Sequence, residues 1–221
     1  MSAALLVFAK APVPGQVKTR LSPTLAPADA AALYEAFLRD ALDRYAALAP
    51  AVAVRLHLAG GRLGDVPDGV EVRGQRGRGL GERMLYAFVE AFAAGHDRAV
   101  VIGTDHPTLP MPFVEIAFDA LRTPLTAVIG PSDDGGYTML GLNEIVPDLF
   151  DMDYSHDRVF QDTLERAGQA GLQPVVLPAH YDVDDGASLA RLVGEWRGGA
   201  DVGARTAGLL RSLTEAGRLA G

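Results

Sequence analysis

Lys18, Thr19 and Arg20 set two cations around a hydroxyl at the end of the stretch Phe8–Leu21, FAKAPVPGQVKTRL. The stretch leaves an apolar run and crosses Pro12, Pro14 and Gly15 before it presents its charge. Proline and glycine shape a loop whose backbone can lie close to a ligand. A di- or triphosphate, with roughly three or four negative charges, is held by cations together with free backbone N–H donors, and such a loop offers both. A solvated loop before the first helix explains the same residues equally well. It is not a Walker A loop, because GQVKTR has one glycine and lacks the G-K-[ST] order.

Three further segments carry chemistry. Gly74–Met84, GQRGRGLGERM, combines glycines with Gln75, Arg76, Arg78 and Arg83, donors able to wrap a base or ribose. It does not fit G-x-G-x-x-G, and a flexible polar turn entering a helix accounts for it as well. Asp105 follows the apolar run VVIGT and precedes His106 and Pro107. A carboxylate there caps a helix, pairs with a cation, or binds Mg²⁺ shared with substrate phosphates. In HYDVDDG, Asp182 and Asp184 alternate, so in extended backbone they share a face and repel unless a cation lies near. A polar turn opening the next helix is the plain alternative. Asp134, Gly135, Gly136 and Tyr137 lie in GPSDDGGY, whose residue types suit a hairpin turn and also suit holding a hydroxylated acceptor.

The elements that must position these residues alternate. Strand patterns fall at Ala3–Ala9, Val52–Ala59, Val70–Val72, Ala99–Gly103, Thr126–Gly130, Thr138–Leu142 and Pro174–Leu177. Several are apolar throughout, as strands covered on both faces are. Helix-period stripes lie between them: Leu33 to Leu48, Met84 to Phe92, Pro112–Leu121, His156–Ala170, Ser188–Trp196 and Ala204–Ala216. This alternation predicts a three-layer α/β architecture around one sheet. The two runs flanking GPSDDGGY predict an antiparallel element within it, so the sheet is mixed and mostly parallel. In such sheets ligands bind at the carboxyl ends of the strands, where all these segments leave.

Bulk composition narrows the classes. The chain has 221 residues, 48% of them hydrophobic, enough for one domain spanning 1–221 with a C-terminal helix in 200–221. A formal net charge of −8 argues against nucleic-acid and anionic-membrane partners, which need a basic face. The absence of cysteine excludes disulfides and thiolate metal sites and fits a cytoplasmic setting. No apolar stretch reaches the roughly 20 residues of a membrane helix. Neither G-x-S-x-G nor H-E-x-x-H occurs, and the five histidines show no zinc spacing.

FAKAPVPGQVKTRL, QRGRGLGERM, GTDHPTL, GPSDDGGYTMLGL and DVDDGASL stand in the order in which they occur in DUF2064 proteins, and residues 3–195 resemble that family. The family in turn resembles the GT-A-like nucleotide-diphospho-sugar transferases and carries a glycosyltransferase label associated in some members with arsenosugar biosynthesis. The resemblance implies that Ala9, Lys10, Pro12, Gly15, Lys18, Arg20, Gln75, Gly79, Gly81 and Arg83 bind the nucleotide. It implies Mg²⁺ or Mn²⁺ on Asp105 and Asp184, with Asp182 the alternative second ligand, and a small acceptor beside Asp134, Gly135, Gly136 and Tyr137. Catalytic roles then fall to Lys18, Arg20, Asp105 and Asp134. Some positions depart from the family pattern: His106 replaces a smaller residue, Tyr154-Ser155-His156 replaces Trp-Ser-Thr, and DVDDGASL lacks Thr-Pro-Glu-Asp.

KAPVPGQVKTRLSPTL is also similar to the matching stretch of 2-phospho-lactate guanylyltransferases, and the single acid of T-D-H-P resembles nucleotidyltransferases more than a D-x-D motif. The expectation is a metal-dependent transferase with a nucleotide donor: a glycosyltransferase first, a nucleotidyltransferase that releases pyrophosphate second. A non-catalytic nucleotide-binding protein is the third reading.

Overall fold

The computed structural model describes residues 2–219. The expected span 1–221 and its helix 200–221 reach beyond that at residues 1, 220 and 221, which lie outside the described residues. The strands are β1 (Ala3–Lys10), β2 (Val52–Ala59), β3 (Val70–Gly74), β4 (Arg98–Ile102), β5 (Thr126–Pro131), β6 (Tyr137–Leu142) and β7 (Gln173–Val176). The helices are α1 (Pro27–Ala46), α2 (Leu80–Ala93), α3 (Met111–Ala120), α4 (Val159–Gln169), α5 (Gly186–Arg197) and α6 (Ala204–Glu215).

One sheet of order β3-β2-β1-β4-β6-β5-β7 takes in all of them. β6 pairs antiparallel with both β4 and β5, and every other pairing is parallel. The mixed, mostly parallel α/β fold expected from the alternation is therefore present.

Period-2 side-chain alternation sorts β1 between two cores. Leu5, Val7 and Ala9 pack with Leu38 and Leu42 of α1 and Val114 and Phe118 of α3. Ala4 and Leu6 face the other way, onto Met84 and Phe88 of α2 and Ala167 of α4. Burial on both sides explains why β1 and β4 read as unbroken apolar runs rather than alternating ones.

A third core lies on the far side of α1 and fixes the loops that carry Lys18 and Asp182. Leu21 and Leu25 follow the Lys18–Arg20 bend; Tyr181 and Val183 flank Asp182. All four pack with Leu33 and Phe37 of α1, Leu189 and Leu192 of α5, and Leu210 and Leu213 of α6. Two chain segments more than 150 residues apart are thus clamped by one apolar cluster. Leu21→Ala should lower unfolding free energy by about 2 to 5 kcal/mol, since this leucine is fully buried. Urea titration checks this; a change under about 1 kcal/mol would mean the cluster does not hold the bend.

Candidate active site

β1 ends at Lys10, and the chain turns through Gly15, whose φ of 76° suits glycine, into a short 3₁₀ turn at Thr19–Leu21. Lys18 precedes that turn in a left-handed conformation, φ 49°, unusual for a residue with a side chain. Its backbone carbonyl accepts from Leu21 N–H at 2.9 Å, which fixes the bend. The side chain runs into the protein, 3% exposed, and its ammonium lies 2.8 Å from both Asp105 Oδ1 and Asp184 Oδ1. Arg20, largely exposed, grips Asp184 through Oδ2.

Asp105 follows β4 after Gly103 and Thr104 but caps no helix, because α3 begins only at Met111. The capping alternative is thereby set aside. Asp185, not Asp105, is a cap: its carboxylate accepts from Ser188 N–H and Oγ–H at the start of α5. Asp182 and Asp184 straddle buried Val183, so both carboxylates face away from the core, as their alternation implied. Val183 N–H donates to the Asp105 carbonyl at 2.8 Å, which ties the two acidic loops together by backbone. Asp184 N–H donates to Ser188 Oγ at 2.9 Å.

These charges shape one another. Burial alone would depress the Lys18 pKa, but Asp105 and Asp184 outweigh it and hold the ammonium protonated. Burial pushes Asp184 up, yet Lys18 and Arg20 bring its carboxyl below the usual range. Asp182 accepts from Ser132 Oγ–H at 2.6 Å and, among the described residues, makes no salt bridge. Burial lifts it to about 7, and the neighbouring Asp105 and Asp184 charges add to the shift. His106 is buried with Nε2 unpartnered; burial lowers its pKa against the pull of Asp105, so a neutral imidazole backs the loop.

Two clefts meet here. The larger, about 560 Å³, is lined by Ala9, Lys10, Lys18, Arg20, Gln75, Arg83, Asp105 and Asp184, with Tyr34 and Leu80 completing its walls. The smaller, about 380 Å³, is lined by Ser132, Asp133, Asp134, Asp182 and Arg191 and shares Arg20 and Asp184 with the first. Segments leaving β1, β3 and β4 thus converge at one edge with the Asp182–Asp184 loop, as a ligand site in an α/β sheet requires.

Other expected residues sit differently. Gln75 spends its amide on the scaffold: Nε2 donates to the carbonyls of His57 and Ala9, at 2.9 and 3.1 Å. Pro12 and Gly15 shape the first loop without lining either cleft. Gly79 precedes α2 as its N-terminal flanking residue. Gly81 turns out to be a packing glycine, because a Cβ there would lie 2.3 Å from the Phe150 carbonyl oxygen. Gly135 permits a close approach to Asp157, whose carbonyl oxygen would be 1.9 Å from a Cβ, at a φ of 88°. Asp134 lines the smaller cleft and accepts from Gly136 N–H at 3.0 Å. Tyr137 departs from expectation: its hydroxyl donates toward Met84 Sδ at 3.5 Å, on the α2 side of the sheet. A strand residue beside the turn alternates to the opposite face from its neighbours, which is why Tyr137 misses the cleft.

The sequence reading missed Tyr34, Ser132 and Arg191. Tyr34 Oη accepts from Lys10 N–H at 2.8 Å, and its ring lies 5.8 Å from Lys18 Nζ. Its polar tip beside the apolar stripe of α1 was the available signal. Arg191 stacks 3.7 Å over Tyr181, a tertiary contact that the α5 pattern does not encode.

Among the described residues, no group of three or more His, Asp or Glu has the geometry of a metal site. Asp105 and Asp184 nonetheless converge, and Asp105 Oδ1 is buried with no hydrogen-bond donor beyond its ion pair with Lys18. Two carboxylates suit a hard cation that takes its remaining ligands from water and phosphate, so the residues fit.

Asp182 sets a pH signature for the metal-free protein. Its folded value lies above the ordinary 3.8, so the folded chain keeps a proton that the unfolded chain loses between pH 3.8 and about 7. Its contribution is therefore most favourable below that window and falls as pH rises through it, by at most about 1.4 kcal/mol per pH unit. Asp182→Asn should flatten the stability profile over that range in urea melts with chelator present. An unchanged profile would mean Asp182 ionises normally.

The chain matches the family model described as "Uncharacterized protein conserved in bacteria (DUF2064)" over residues 28–156. No curated protein matches it. A crystal structure from Desulfovibrio desulfuricans G20, provisionally named a nucleotide-diphospho-sugar transferase, is 32% identical at a TM-score of 0.87, covering 97% of this chain and 96% of that one. A cytidylyltransferase from Leptospira borgpetersenii is similar in fold at 13% identity and a TM-score of 0.53, covering 98% and 95%. Glucosyl-3-phosphoglycerate synthase from Mycobacterium tuberculosis, solved with Mn²⁺, UDP and glucosyl-3-phosphoglycerate, has 15% identity and a TM-score of 0.54, covering 89% and 76%. No helix among the described residues is long and apolar enough to cross a membrane. The motifs, the sheet and these matches agree: the chain belongs to the DUF2064 family and has the nucleotide-diphospho-sugar transferase fold.

Proposed function

We propose that the protein is a divalent-metal-dependent transferase that moves a sugar from a nucleoside-diphosphate sugar to a small acceptor. The observation that carries this reading is the pairing of Lys18 with Asp105 and Asp184 where the two clefts meet. Cations and carboxylates concentrated at one cleft floor suit a diphosphate leaving group.

In this reading Ala9, Lys10, Gln75 and Arg83 flank the nucleotide, with Pro12, Gly15 and Gly79 shaping the loops around it and Gly81 letting the start of α2 pack closely. Lys18 and Arg20 hold the donor phosphates. Asp105 and Asp184 would hold Mg²⁺ or Mn²⁺, which, when bound, neutralises charge on the departing phosphate oxygens. The smaller cleft takes the acceptor: Asp134 accepts the proton of the acceptor hydroxyl as its oxygen bonds to the sugar, and the nucleoside diphosphate leaves with the bonding pair. Gly135 and Gly136 keep the Asp134 turn tight; Tyr137 supports it from the core side.

Nucleotidyl transfer is the second reading. It is favoured by the single carboxylate that follows β4 in GTDHPT, in place of a D-x-D pair. A phosphorylated acceptor would then attack the α-phosphate of a nucleoside triphosphate and expel pyrophosphate, with no general base required.

Incubation with Mn²⁺ and a panel of nucleoside triphosphates and nucleotide sugars, with product analysis, separates the two. Acceptor-dependent release of nucleoside diphosphate is expected; acceptor-dependent pyrophosphate would overturn sugar transfer. Asp105→Asn should cost about 10²- to 10³-fold in kcat while the chain stays folded. A variant that binds nucleotide tightly without metal, in a protein that turns nothing over, would instead make this a nucleotide-binding protein.

A further inference from the structure

Resting on the metal assignment above, we propose that Lys18 is an internal counter-ion occupying the place of the divalent cation between Asp105 and Asp184, so that metal enters only as the ammonium leaves.

Geometry carries this. Both acidic side chains present Oδ1 to the same nitrogen at 2.8 Å. An ammonium and a divalent cation cannot share that gap, since like charges at contact repel. The acidic side chains, 39% and 31% exposed, line the larger cleft, whereas the Lys18 side chain between them is 3% exposed. Neither acid is therefore part of a sealed interior pair, and both line the cleft together with the lysine.

Residue choice agrees. The sequence has 20 lysines and arginines, yet its only lysines are Lys10 and Lys18. A guanidinium is a broad planar fork, while an ammonium is a compact point charge on a flexible four-carbon stem. Of the two, only the ammonium approximates an ion between two carboxylates.

The surroundings allow departure. The backbone of Lys18 is pinned by the 3₁₀ turn, so movement falls to the side chain. The larger cleft, which Lys18 itself lines, lies within reach and is where donor phosphates are assigned. Arg20 remains on Asp184 when Lys18 moves, so that carboxylate keeps a partner. Phosphate and metal then support each other: phosphate draws the ammonium out of the gap, and the cation that replaces it binds the same phosphate. Such mutual support is a binding linkage, equal in both directions.

Mn²⁺ titration without nucleotide, followed by electron paramagnetic resonance of the free ion, tests the idea on the full chain. Lys18→Gln should bind Mn²⁺ at least about tenfold more tightly than wild type, the size of a typical coupling. Equal or weaker binding by a folded Lys18→Gln, judged by circular dichroism, would overturn it. Wild-type protein gives an independent readout through amine acylation and mass spectrometry, with exposed Lys10 as internal reference. Saturating Mn²⁺ should raise Lys18 labelling several-fold relative to Lys10; continued protection would also overturn the proposal. If wild type binds Mn²⁺ and either test fails, the counter-ion role falls while the metal assignment stands. If neither protein binds Mn²⁺, with or without UDP or GDP, both fall.

Discussion

One ammonium between two carboxylates governs this end of the molecule. Lys18, Asp105 and Asp184 arrive from three loops, and each would be costly in its setting without the others. The buried member is Lys18, and removing both acids would leave its charge uncompensated. The loops are accordingly braced by means that do not depend on charge. Val183 hydrogen-bonds to the Asp105 carbonyl, Leu21 and Val183 share an apolar cluster, and Ser188 receives the backbone N–H of Asp184. Packing holds the charges in place, and the charges are then free to serve ligands.

That division also explains the third core. The first two cores lie directly against the sheet. α5 and α6 add an outer layer over α1, and the residues they bury include those on either side of the site loops. Asp40 on α1 accepts from Thr206 N–H at 2.8 Å, which docks the start of α6 to the same helix. The C-terminal part of the chain thereby fixes a loop near the N-terminus.

Much of this was legible in the sequence because its signals are local. Period-2 and 3.6 patterns located every strand and α-helix, most ends to within a few residues, although α1 starts at Pro27, six residues before its apolar stripe, and the β5–β6 hairpin followed from GPSDDGGY. The alternation of Asp182 and Asp184 across Val183 was likewise a backbone property. Contacts made across the chain were not legible. Gly81 and Gly135 looked like ligand glycines, but what demands them is the nearness of Phe150 and Asp157. Gln75 looked free and is occupied by two carbonyls. Tyr137 was assigned by adjacency to a turn, although strand alternation sends it to the other face. His57 of β2 has Nε2 buried without a partner, and its ring stacks on Phe8 at 5.3 Å, contacts that the strand pattern does not encode.

The distribution of charge completes the picture. A chain with net charge −8 repels anions over most of its surface, so phosphate can be attracted only where cations are concentrated. The larger cleft has Lys10, Lys18, Arg20 and Arg83 against Asp105 and Asp184. The smaller has Arg20 and Arg191 against Asp133, Asp134, Asp182, Asp184 and Asp185, and Arg191 is already paired with Asp133 and Glu195. An anion is thus drawn to one side of Asp184 and repelled from the other. The two clefts differ in sign at the point where they join, so an anionic ligand has one orientation across that boundary that agrees with the field.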